Sequence, residues 1–163
     1  MLQPAAIDGL AFVRAAGVLK GRLGIETLPR LAHSGCSASL LDFVLTGEIN
    51  ERGKPELRLA VHGSVRLQCQ RCLGNMDFPL GLDAQLELAA SEAEILAADD
   101  DVERVVAGRE MNVAGLVEDE VILALPMVPK HEQCRAAEES GGGAKPSAFE
   151  ALAALKKRST SGG

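Results

Sequence analysis

Between Leu41 and Leu88 the apolar residues recur at every second position in three successive runs. Leu41, Phe43 and Leu45 form the first. Leu57, Leu59, Val61, Val65 and Leu67 form the second, and Phe78, Leu80, Leu82, Leu86 and Leu88 the third. A period of two puts alternate side chains on one face of a strand, so each run predicts a half-buried strand. Glu51-Arg52-Gly53-Lys54-Pro55 and Gly74-Asn75 are turn signals between them. Short connections between sequential strands favour an antiparallel meander. Gly63 interrupts the second inward row and predicts a bulge or a close approach of another backbone.

The second row runs into Cys69, which keeps its inward phase, and Cys72 follows in the turn. The pair belongs to a larger set: C-x2-C, then 58 residues, then H-x2-C at His131 and Cys134. Three thiols and an imidazole are the donors of a tetrahedral Zn²⁺ site, and both pairs have chelate spacing. A short pair gathers two ligands at little entropic cost, whereas the long loop must be closed by the fold. Four protein ligands leave no open coordination position, so such a site is structural. Two other readings stay open. Cys69 can be a small core hydrophobe with Cys72 an ordinary thiol. Redox work requires a strand feeding directly into a helix, and here a turn and second strand follow. Cys36, His33 and His62 fall outside the pattern.

Elsewhere the expected elements are helical. Asp8 is placed to cap a helix over Gly9–Leu19, with Leu10, Phe12 and Val13 as its apolar side and Gly21 and Gly24 beyond its end. Thr27-Leu28-Pro29 suggests a capped helical turn through Ala32. Residues 91–110 are acidic and predict a solvated loop, with a short strand at Val102–Val106. A helix starts at Asn112, with Val113, Leu116, Val117, Val121 and Ala124 on one face, and stops at Pro126 and Pro129. On it, Glu120 falls close to the apolar face and is expected to pair with an inward Arg or Lys, while Glu118 and Asp119 are expected to be solvated. The fold class is thus α+β: a curved antiparallel sheet or partial barrel with a few packed helices and a flexible C-terminal tail. Its expected organisation is one domain over 1–139, a Gly-rich linker at 140–146, a short amphipathic helix at 147–158 and a disordered end at 159–163. The tail helix opens on the capping box Ser147…Glu150 and carries a stripe of Phe149, Leu152 and Leu155 with Lys156-Lys157-Arg158 behind it. These six residues suit either docking on the parent domain or binding a partner.

Charge bears on partners. The net charge is -6, but residues 1–71 carry +3, residues 72–130 carry -10 and residues 131–163 carry +1. An acidic middle repels a phosphate backbone and disfavours wrapping by nucleic acid, leaving local contact through the basic regions open. With no Trp or Tyr, a base-stacking platform is hard to build. No apolar run reaches the length of a membrane span, and the N-terminus lacks a secretory layout, so a cytoplasmic protein with reduced cysteines is expected. The sequence has no Gly-rich phosphate loop, nucleophile elbow or H-E-x-x-H, and no histidine is spaced to serve Glu118, Asp119 and Glu120 as acid/base partners.

Four segments carry a family resemblance: Leu67-Gln68-Cys69-Gln70-Arg71-Cys72, the run from Val117 through Glu118-Asp119-Glu120 to Leu125-Pro126, the pair His131 and Cys134, and Lys145-Pro146-Ser147-Ala148-Phe149 leading into Leu152 and Leu155. In order and spacing, from about Asp8 to Arg158, the chain resembles the YceD family, the large ribosomal RNA subunit accumulation proteins. Ser147-Ala148 stands where relatives often have Asn-Pro. The resemblance implies a bacterial or organellar protein needed for synthesis, processing or accumulation of large-subunit ribosomal RNA, with no catalytic residues to carry over; with no catalytic motif in the sequence, a non-enzymatic protein is expected. The partner expected on this reading is a ribosomal precursor, a ribosomal protein or an rRNA-processing factor. Cys69, Arg71, Cys72, Glu118, Asp119, Glu120, Pro126, His131 and Cys134 are the positions that match the family's motif. Direct RNA binding or processing, and a zinc-stabilised scaffold unconnected with ribosomes, are the competing classes.

Overall fold

The computed structural model describes residues 6–135. In chain order its elements are β1 (Ala6–Ile7), α1 (Gly9–Arg14), β2 (Val18–Gly24), a 3-10 turn over Ile25–Thr27, α2 (Pro29–His33), β3 (Ala38–Ile49), β4 (Pro55–Gln68), β5 (Asn75–Ala89), α3 (Glu92–Ala97), β6 (Arg104–Val106), β7 (Met111–Asn112) and α4 (Val113–Ala124). Strands β2-β3-β4-β5-β6 form one sheet, and β1 pairs with β7 in a small ribbon. The first four strands of the sheet are antiparallel, and β6 joins β5 in parallel. A parallel neighbour needs a crossover, which α3 and its flanking loops supply. β2 and β6 remain edges, so the curved sheet does not close into a barrel. The linker, the tail helix and the end expected after residue 139 lie outside the described residues.

The three alternating runs become β3, β4 and β5 with their inward rows in register: Phe43 faces Val61, and Val61 faces Leu82. Leu41, Leu45, Leu57, Leu59, Val61, Val65 and Leu86 are fully buried. Helices α1 and α4 cover this face, α1 against β3 and β4 and α4 against β4 and β5. Val13, Val117 and Val121 complete the core. Gly47 is what lets α1 lie so close, since a Cβ there would stand 2.8 Å from the Cα of Val13. Gly63 marks a close approach and not a bulge: pairing runs through it without a break, with φ +154°, and a Cβ would meet the Leu40 carbonyl oxygen at 2.1 Å. The opposite, solvent-facing side carries cross-strand ion pairs, Arg22–Asp42, Arg58–Asp83 and Arg66–Asp77.

Three expectations are corrected. The first helix is capped by Asp8, whose carboxylate accepts from Ala11 N, but it ends at Arg14 and not Leu19. Ala16 turns the chain at φ 47°, and Val18–Gly24 becomes a strand that pairs Leu19, Gly21 and Leu23 with Leu45, Phe43 and Leu41. A short run around Leu19 fits either period; Gly21 and Gly24 weaken a helix, and a free edge on β3 decides the matter. The second correction concerns α2, which does begin at Pro29 but with Leu28 and not Thr27 at its N-cap, making no side-chain cap. Thr27 instead donates its hydroxyl to Gly24 O. The third is in the acidic stretch, which contains α3. Ser91 accepts from Glu94 N at 3.3 Å and the Glu94 carboxylate accepts from Ala90 N at 2.8 Å, a variant of the capping box that Ser91-x-x-Glu94 spells out, with the return bond one residue before the N-cap. The expected short strand is present as Arg104–Val106.

Candidate metal centre

At the end of β4 the chain makes a tight knuckle before returning as β5. Cys69 N donates to Gly74 O at 2.9 Å, Leu73 N donates to Cys69 O at 2.9 Å, and Leu73 sits at φ 60°. Because Cys69 keeps the inward phase of its strand, its sulfur is buried, and Cys72 lies half-buried on the turn. The other two donors arrive from α4. Asn112 caps that helix by accepting from Gly115 N, and the helix stops at Ala124 before Pro126. The arm beyond it runs back to the knuckle, where Gln70 N donates to Pro129 O at 2.8 Å and Arg71 Nη1 donates to Cys134 O at 3.2 Å.

This path brings Cys69, Cys72, His131 and Cys134 together, with every pair of ligand atoms within 4.8 Å. Cys69 Sγ lies 3.6 Å from Cys134 Sγ, and Cys72 Sγ lies 3.3 Å from His131 Nδ1. Sulfurs bound at about 2.3 Å to a tetrahedral Zn²⁺ stand about 3.8 Å apart, and sulfur and imidazole nitrogen about 3.5 Å apart. The donor set therefore fits such an ion, these two pairs opening by about 0.2 Å each. The histidine is oriented for it. His131 Nε2 lies 3.2 Å from Asn75 O, which can only accept, so the ring proton is on Nε2 and the Nδ1 lone pair faces the cysteines. A backbone carbonyl in this place is the usual support of a metal-ligating imidazole.

Electrostatics also favour bound metal. Burial disfavours the Cys69 thiolate, but N–H groups of Cys72, His131 and Arg71, with Cys134 adding to them, outweigh it and draw the thiol down to about 5. Arg71 N and His131 N both point at this sulfur, each at 3.4 Å. Cys134 is shifted upward by burial and then by Cys69 and Cys72 beside it. A positive ion at the centre relieves that conflict. Cys36 lies elsewhere, in the core, where burial raises its thiol.

The acidic motif on α4 is separate from this cluster and corrects two expectations. Glu118 is the buried member, only 4% exposed, and not part of a solvated face. Its carboxylate accepts from Leu31 N at 2.8 Å and from Arg30 Nε at 3.0 Å, while Arg30 Nη1 reaches the exposed Asp119 at 2.5 Å. The motif thus fastens α2 onto α4. Glu120 finds no Arg or Lys among the described residues. It shares a hollow with Glu103, Asp83 and Leu123, and burial, then Glu103 and Asp119, push its carboxyl up to about 7. Pro126 lines a groove of about 590 Å³ beside His131, with Met76, Phe78 and Val128. Phe149, Leu152, Leu155, Lys156, Lys157 and Arg158 lie outside the described residues. Sequence reasoning missed Arg30, the amide of Leu31 and the carbonyl of Asn75. The last two are backbone groups and carry no side-chain signal.

The fold and centre together define an α+β protein in which a Cys3His cluster able to hold a metal sits where sheet and C-terminal arm meet. The family model described as large ribosomal RNA subunit accumulation protein YceD matches residues 57–156, and the chain belongs to this family. The matched span begins in β4 and takes in all four Cys3His residues. No curated protein and no solved structure matches the chain. Among the described residues, no helix is long and apolar enough to cross a membrane.

Proposed function

We propose that the protein is a non-enzymatic ribosome-biogenesis factor that supports the accumulation of large-subunit ribosomal RNA by associating with a large-subunit precursor. The family match over residues 57–156 carries this reading. The charge distribution supports a protein component of the contact. At the end of the sheet remote from the knuckle, an open groove of about 810 Å³ is lined by Glu48, Glu51, Glu56, Asp101 and Glu103 together with Arg52 and Arg58. An acidic surface of this kind steers and orients a basic ribosomal protein.

In the same reading the Cys3His centre binds Zn²⁺ structurally. Four protein donors fill a tetrahedral shell, leaving no position for an activated water. Its work is to hold the arm that follows α4 against the β4–β5 knuckle. The segment 147–158, with Phe149, Leu152, Leu155 and the cations Lys156, Lys157 and Arg158, is assigned to partner contact on its sequence pattern.

The test is genetic and biochemical. In cells lacking the protein, mature large-subunit rRNA should fall relative to small-subunit rRNA, and tagged protein should co-sediment with large-subunit precursors. Unchanged rRNA ratios together with sedimentation only as free protein would overturn the reading.

A further inference from the structure

Among the described residues six of ten arginines are matched to carboxylates. Arg22, Arg58 and Arg66 pair across the outer sheet face, Arg30 binds Glu118 and Asp119, and Arg52 and Arg104 share Glu87 and Asp100. Around the knuckle this stops. Arg71, Lys130 and Arg135 are exposed, and among the described residues none has a carboxylate oxygen within 4.0 Å. Three further cations of this kind, Arg14, Lys54 and Arg109, are scattered over α1, the β3–β4 turn and the loop before β7.

The backbone gathers the knuckle cations. The bond from Gln70 N to Pro129 O sets Lys130 beside the turn, and that from Arg71 Nη1 to Cys134 O sets Arg71 beside Arg135. Arg71 is thereby anchored through one nitrogen of an exposed side chain, and Nε and Nη2, the two donors of a planar fork, have no partner among the described residues. Glu132 is the one carboxylate on this stretch of the arm. Counting it, and a centre of one Zn²⁺ with three thiolates, the locality stays net positive. It does so on a chain whose 72–130 segment carries -10.

We propose that the metal knuckle binds the phosphodiester backbone of single-stranded large-subunit RNA through Arg71, Lys130 and Arg135. The choice of RNA over another polyanion rests on the ribosomal reading above; the charge geometry is independent of it. With no Trp or Tyr to stack on bases, the contact reads backbone and not sequence. Three cations make it a limited contact that supplements a protein-mediated one.

The test uses the metal-loaded full chain and a single-stranded fragment of large-subunit rRNA, with binding followed by fluorescence anisotropy between 50 and 200 mM salt. Neutralising three phosphates predicts a slope of about -2 in log affinity against log salt. The triple variant Arg71→Gln, Lys130→Gln, Arg135→Gln should flatten the slope toward zero and weaken binding at low salt by about tenfold or more. The triple variant Arg14→Gln, Lys54→Gln, Arg109→Gln should keep both. If loss of the Arg71 anchor also costs metal, the pair Lys130→Gln, Arg135→Gln, which leaves that anchor intact, should still lose about two-thirds of the slope. Unchanged RNA binding by a metal-replete knuckle variant would overturn the proposal. So would equal loss in the control variant, or preference for poly-glutamate over RNA. Failure here with depressed rRNA in deleted cells removes the RNA contact alone. A normal rRNA ratio there, with the slope intact, removes the ribosomal role alone.

Discussion

Cys134 Sγ stands 3.6 Å from Cys69 Sγ although 65 positions separate them. Little else holds the segment between Pro126 and Arg135 to the body. Met127 is fully exposed and Val128 more than half exposed, so the arm contributes little to the core. Its attachments are the bonds from Gln70 to Pro129 and from Arg71 to Cys134, the His131–Asn75 contact, and the four-ligand cluster itself.

A clasp of that kind makes the metal a stabilising ligand of the folded state. Cys134→Ser should reduce metal content well below one ion per chain and lower the melting temperature by on the order of 5–10 °C. Elemental analysis and a thermal melt check this. A variant that loses its metal yet melts as the native protein does would count against the clasp.

Glu118 is a second fastener, between α2 and α4. Glu118→Ala strands the buried amide of Leu31 and removes the bond from Arg30 Nε, and should cost roughly 2–3 kcal/mol in denaturant unfolding. Glu118→Gln keeps an acceptor for Leu31 N and should cost less. Asp119→Ala, on an exposed partner of Arg30, should cost under about 1 kcal/mol.

Glu120 sets a pH dependence of stability. Its carboxyl is raised from 4.5 to about 7 by burial, Glu103 and Asp119, so the native state holds its proton more tightly than the unfolded chain. Stability is unaffected by this group below about pH 4.5, declines as pH rises through 7, and stays lowered above that. Glu120→Gln should therefore melt a few degrees higher than the native protein at pH 8 and about equally near pH 4.5. Melting curves at the two pH values decide it, and equal differences at both would refute the assignment.

Gly63→Ala tests the close approach of the Leu40 carbonyl to Gly63 inside the β3–β4 pair. The new methyl would have to displace the Leu40 carbonyl, and the φ of +154° disfavours a side chain as well. A loss of roughly 2–4 kcal/mol is expected, measured by denaturant unfolding.

What the sequence disclosed was what local pattern governs. The inward rows from Leu41 to Leu88 fixed three strands and the phase of Cys69, and Asp8 and Asn112 marked two helix starts through their own side chains. β2 was hidden because the run around Leu19 satisfies both periods and only the free edge of β3 chooses between them. The Ser91…Glu94 box was legible but masked by acidic neighbours. Glu118 could not be told from Glu120 by position on the helix, since its partner Arg30 is 88 residues away. The Cys and His spacing named the four donors of the centre. Their meeting depended on Pro129 and Asn75 supplying backbone groups, which no side-chain motif announces.

X-ray absorption at the zinc edge, on protein purified without chelator, addresses the metal clasp most directly. About one zinc per chain is expected, with a first shell of three sulfurs near about 2.3 Å and one nitrogen near about 2.0 Å. Protein carrying only trace metal, or a shell of oxygen and nitrogen without sulfur, would contradict it.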